Sequence, residues 1–241
     1  METCNQTDVA YVRRLFIYKG ENNVSYIAEG VNLFVRDHTL YFNKDEKLYR
    51  KTRLTAVEEI AEEAYITAKF GEAWMSVLEL IEKHQENWLD VPALLFNETL
   101  LITLPFPTSV IYHFSRAGVL IKTHHLSAAI SAFDLDKVSH ELITLSDDGS
   151  LLRKYLYRDD QLMLNDEQQL NKQYTQMCCS DKGILLVDTS EQKTICFEDG
   201  CEREWLHFST KVFDVVNVSS NEYVGLMMDG LYLLDIEKTN R

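Results

Sequence analysis

Three small groups of residues carry side chains capable of chemistry. Cys196 and Cys201 are four residues apart with His207 behind them, and Cys178-Cys179 stands upstream. Zinc takes four tetrahedral ligands, usually drawn from close pairs. Adjacent residues of a strand point to opposite faces, so neither Cys178-Cys179 nor His124-His125 can offer both side chains to one ion. These thiols and imidazoles therefore read as packing or strand-surface groups, and no metal site is assigned. With Cys4 the cysteines number five. An odd, sparse set in a chain of this length is not a disulfide framework, and it suits the reduced thiols of cytosol or nucleus.

The second group is basic. Lys44, Lys47, Arg50, Lys51 and Arg53 cluster, with Tyr41, Phe42 and Tyr49 interleaved. Cations with aromatic rings can bind single-stranded nucleic acid. The whole chain carries a net charge of -14, however, which repels phosphate backbones. The cluster reads first as an exposed hairpin with an aromatic inner face. Lys44, Lys47, Tyr49, Arg50, Lys51 and Arg53 are the residues we assign to partner binding.

The third group is catalytic in type but not in spacing. The sequence holds no Gly-x-Ser-x-Gly elbow, no His-Glu-x-x-His helix and no glycine-rich phosphate loop. Asp147-Asp148 and Asp159-Asp160 fall where turns are expected, and carboxylates there serve turn geometry. The reading is a protein without catalytic residues, without a cofactor and not an enzyme.

The elements that would position these groups are β-hairpins. Tyr223–Met228 leads through Asp229-Gly230 into Leu231–Leu234, and Asp-Gly is a strong hairpin signal because both turn positions tolerate positive φ. The same layout recurs around turns near 38, 118, 149 and 182, with a weaker one at Gly71. Such a rhythm, every roughly 30 to 50 residues, marks repeat architectures. Short apolar runs flank the hairpins, making about four strands per unit, as in a propeller blade. Val24–Ala28 precedes the first hairpin and Val212–Val218 the last.

Val215-x-x-Val218 followed by Tyr223-Val224-x-Leu226-x-x-Asp229-Gly230-Leu231-Tyr232 resembles one repeat of the RCC1-like propellers. Val24-x-x-Ile27-Ala28-x-Gly30-x-x-Leu33-Phe34 with Asp37–Tyr41 has a similar form. WD40 blades share the plan. The closing Trp-Gly of the former and the Gly-His and Trp-Asp pairs of the latter are absent, so the resemblance implies architecture only. With 9 glycines in 241 residues, irregular blades are expected. The fold class is all-β, an irregular β-propeller of about six to seven short blades. Residues 1–241 form a single domain, or alternatively 1–90 and 91–241 form two units.

Two segments depart from the rhythm. Around 55–88, Ala and Glu abound, Thr55 with Glu58 makes a capping box, and Val57, Ile60, Ala61 and Ala64 recur at helical spacing. Trp74, Val77, Leu78 and Ile81 repeat that spacing, so a helical insertion is expected here. Asp159 to Lys172 is polar and reads as a long loop. At the N terminus, Tyr11–Tyr18 reads as a strand completing the last blade, since ring folds often join their two ends.

The expected function is a non-enzymatic scaffold for protein–protein interaction within a complex. The alternative is a noncatalytic partner of a nucleic-acid-processing enzyme, touching RNA or DNA through hairpin 44–53. No membrane span is expected, since no run of about 18 apolar residues occurs. The expected location is cytoplasmic or nuclear.

Overall fold

The computed structural model describes residues 22–96, 99–136, 138–158, 161–198, 200–208 and 210–236. Strands make up most of the described residues, so the fold is mostly β. Contacts divide it into two compact units, residues 1–30 with 174–241, and residues 31–173. The alternative boundary at 90 and 91 falls inside the second of these.

The first unit holds two four-stranded antiparallel sheets. One is β13 (Gln176–Ser180), β14 (Gly183–Asp188), β15 (Lys193–Glu198) and β16 (Cys201–His207). The other has the order β1-β19-β18-β17, with β17 (Val212–Ser219), β18 (Glu222–Met227), β19 (Gly230–Ile236) and β1 (Asn22–Ala28). Leu185, Val187, Val212, Val215, Tyr223 and Leu234 are buried in one cluster between them. Alternation along each strand sends these side chains inward. Trp205 meets Tyr223 edge-on at 4.8 Å.

Val24–Ala28 therefore joins the last hairpin rather than the first, pairing antiparallel with β19. Gly230 makes that approach possible. Its φ is +143°, and a Cβ there would stand 2.7 Å from a ring carbon of Tyr26 and 2.9 Å from the Ala28 carbonyl oxygen. The expected closing strand at 11–18 lies outside the described residues.

The second unit opens with a four-stranded sheet of β2 (Val31–Arg36), β3 (Thr39–Lys44), β4 (Lys47–Lys51) and β5 (Glu58–Ile60). Both of its tight turns use non-glycine residues at positive φ, Asp37-His38 and Asp45-Glu46, matching the twist of the flanking strands. A seven-stranded sheet follows, running from β6 (Ala93–Phe96) through β7 (Thr99–Thr103), β8 (Thr108–Phe114), β9 (Leu120–Asp136), β10 (Glu141–Ser146) and β11 (Leu151–Arg158) to β12 (Gln161–Gln169). Strand β9 is 17 residues long. Its first part pairs with β8 and its last part with β10, so the sheet is two four-stranded groups sharing one strand.

The described strands thus make five four-stranded groups, fewer than the six to seven expected. Five of the six turns read from sequence are hairpins or hairpin ends; the sixth, at Gly71, breaks a helix instead. Helix α1 (Glu62–Phe70) ends at Gly71 (φ +64°), and α2 (Trp74–Lys83) follows a short 3-10 turn. The capping box fails because Glu58 belongs to β5, and Thr55 closes a turn with Thr52 (hydroxyls 2.8 Å apart). The polar run 159–172 contains strand β12, not a loop alone. It is an outermost strand, paired on one side to β11, and needs no apolar face.

Candidate functional site

The basic hairpin comes first because the sequence singled it out. Lys47 Nζ donates to Glu59 (2.9 Å) and Arg50 Nε to Glu58 (2.8 Å), both acceptors on β5. These bonds raise the pKa of each cation. Lys51 Nζ donates to the carbonyl oxygens of Thr52 and Thr55. Tyr49 stacks on Phe42 at 5.4 Å. Strand pairing puts Lys44 opposite Lys47 and Phe42 opposite Tyr49, whereas Arg50 lies opposite Tyr41 on the other face. Arg53 lies beyond the strand end. The six residues do not share one surface. Residues 44–59 hold five cations and four carboxylates, so the segment is nearly neutral.

The cysteines are dispersed in the same way. Cys178 and Cys179 are buried, Cys201 is exposed, and the half-buried Cys196 donates its thiol to the Lys182 carbonyl oxygen at 3.2 Å. Burial pushes the Cys196 thiol up. Among the described residues no group of three His, Cys, Asp or Glu is placed to hold a metal ion.

One polar constellation was missed. His113 on β8 is buried, with Nε2 2.7 Å from the Thr99 hydroxyl and Nδ1 2.9 Å from the Tyr157 hydroxyl. A neutral imidazole donates at one nitrogen and accepts at the other, so both of its positions are used. His124 is buried too, not on the strand surface as read, and stacks on His113 with centroids 5.9 Å apart. The three residues sit 11 to 44 positions apart, on β8, β9 and β11, and no local spacing could have joined them.

The same unit carries a hollow of about 270 Å³ on the opposite sheet face. Phe70, Gly71 and Ala73 form its helical wall, and Leu95 and Leu100 its strand wall. Leu100 packs with the helices and Leu101 with the opposite core. By alternation the Thr99 side chain shares the face of Leu101, so the imidazole relay does not open into the hollow although Thr99 borders it. Arg116 closes the rim, its Nε and Nη2 both donating to one oxygen of Glu72 (3.1 and 2.8 Å).

The elements that bound this rim also carry exposed apolar side chains. Leu95 is 45 % exposed, Met75 61 % and Val119 64 %, and Leu120 and Ile121 are exposed as well. In an ordinary half-buried strand alternate residues would be covered; Val119, Leu120 and Ile121 are bare in succession. Gly118 (φ +82°) brings this turn against α2, where a Cβ would stand 2.9 Å from the Ser76 hydroxyl. As an apolar run behind the turn near 118, Val119–Ile121 reads like a strand with a covered face, and its sequence does not mark it as exposed.

A buried lysine fixes the helices beside the hollow. Lys69 Nζ donates to the carbonyl oxygens of Trp88 (3.0 Å) and Leu89 (2.6 Å) and lies 5.5 Å over the Phe70 ring. Burial lowers its pKa to about 7, against the opposing pull of Asp90. Arg36 donates to the Lys69 carbonyl oxygen and Tyr65 to that of Asn32, tying α1 to β2. Tyr65 meets Phe34, Tyr41 and Trp88 edge-on.

No protein-family model matches the chain, and no curated protein sequence matches it significantly. Solved structures do match. A putative gluconolactonase is 8 % identical, with 92 % of this chain and 93 % of that chain covered and a TM-score of 0.58. A luciferin-regenerating enzyme is 10 % identical over 91 % of this chain and 96 % of that one, at 0.52. The Cps50 (Swd1) β-propeller domain of Myceliophteria thermophila is 9 % identical over 84 % and 68 %, at 0.45. Likeness at these identities shows the fold, a β-propeller, and leaves activity open.

Proposed function

We propose that this chain is a non-enzymatic β-propeller scaffold, binding a protein partner through the surface around the helical insertion. The observation that carries the reading is the uncovered run Val119–Leu120–Ile121, beside exposed Leu95 and Met75. Exposed apolar side chains gathered on neighbouring elements are the kind of surface that interaction sites use. The buried imidazole of His113 is committed to the hydroxyls of Thr99 and Tyr157. The nucleic-acid alternative is less supported, because Lys47 and Arg50 are already held by Glu59 and Glu58.

The test is affinity purification of the tagged full chain from its native cells, beside a variant with Val119, Leu120 and Ile121 changed to Ser. The folded variant should lose stoichiometric partners that the parent retains. Full retention by a folded variant would reject the reading.

A further inference from the structure

The hollow and its charge surroundings together say what kind of partner fits. A volume of about 270 Å³ is below the roughly 300–1,000 Å³ that hold drug-sized ligands. It suits one apolar anchor side chain, the usual centre of a protein interface. The insertion around it is the most one-sided stretch of charge in the unit. Residues 61–90 carry seven carboxylates and two lysines. All seven carboxylates are exposed, whereas Lys69 is buried. Arg116 pairs with Glu72. On α2, Met75, Glu79 and Glu82 follow at spacings of four and three, so one exposed face carries a methionine flanked by carboxylates.

Resting on the scaffold reading, we propose that the hollow at the α1–α2 bend receives an apolar side chain from a basic segment of a partner protein, whose lysines or arginines face Glu79 and Glu82. The acidic insertion steers such a segment to the site, and the Phe70–Leu95–Leu100 walls hold its anchor. Charge governs the encounter, and apolar burial governs residence. The Arg116–Glu72 pair borders the entrance and is open to solvent, so an arriving side chain displaces water rather than a buried bond.

The probe is a labelled 16-residue amphipathic Lys/Leu peptide, with a Glu/Leu peptide of the same pattern as control, read by fluorescence anisotropy on the intact chain. Three proteins are compared: the parent, Glu79→Lys with Glu82→Lys, and Leu95→Ser with Val119→Ser. Circular dichroism and melting establish that each is folded. The Lys/Leu peptide should bind the parent, weaken at least tenfold in both variants, and weaken further as salt rises; the Glu/Leu peptide should not bind. Binding that is absent, or that follows salt but ignores Leu95→Ser with Val119→Ser, overturns the inference. Loss of native partners in the Val119–Ile121 variant, combined with no site-dependent peptide binding, would leave the scaffold standing and remove the basic partner. Retention of native partners in that variant would remove the scaffold reading itself.

Discussion

The two units fill their interiors with different chemistry. In the first, the shared cluster is apolar, and buried carboxylates sit at strand ends: Asp188 accepts from Ser190 and the Glu191 amide, and Glu222 from Ser219. In the second, a lysine, two imidazoles and Arg153 are buried within the elements themselves. Arg153 is held by Glu167 at 2.6 Å. Apolar alternation is enough to specify the first kind of interior. The second kind also depends on hydrogen-bond partners for its buried polar groups, and those partners come from distant parts of the chain. The difference teaches that apolar alternation is enough to pack the first unit, while in the second the bonds of Lys69, Arg36 and Tyr65 add to apolar packing in placing the helices.

Substitutions can break this contrast. The largest effect is expected from Leu185→Ala, which empties a fully buried site in the apolar interior and should cost about 2–5 kcal/mol in urea unfolding. A loss under about 1 kcal/mol would show that the first unit is not the tightly packed one. Tyr157→Phe removes one partner of His113 in the second unit and should cost about 1–3 kcal/mol, since a buried ring nitrogen loses its hydroxyl.

Lys69 sharpens the contrast through pH. Its ammonium is disfavoured by burial, so its pKa is about 7 when folded and near 10.5 when unfolded. Between those values the unfolded chain binds the extra proton, and stability therefore rises with pH across that window. Melting temperatures from pH 7 to 9.5 should climb in the parent relative to Lys69→Met, in which this contribution is gone. A parallel pair of curves would contradict the burial of the charged amine. The smallest effect belongs to Arg116→Ala, which breaks an exposed ion pair and should cost about 0–1 kcal/mol.

The blade rhythm was legible because hairpin turns leave local marks. Asp229-Gly230, Ser146–Gly149 and Asp37-His38 each announced a turn that the structure contains. Polarity misled at β12, where an outermost strand pairs through its backbone whatever its side chains are. Gly71 misled in the other direction, since a positive-φ glycine ends a helix as readily as it turns a hairpin. Trp74, Val77 and Ile81 did reveal α2 by their spacing, and Val77 and Ile81 are buried. The hollow was not legible. Phe70, Leu95 and Arg116 meet only through the packing of a helix against a distant hairpin, and no sequence interval encodes that.

The most direct test of the central claim, that the helical side of the second unit receives a partner, is cross-linking mass spectrometry on the protein isolated natively with its associates. Lysine-reactive links to other chains should concentrate on Lys83, the exposed lysine at the end of α2 within the acidic insertion. Links confined to Lys44, Lys47 and Lys51, or no links to other chains at all, would contradict it.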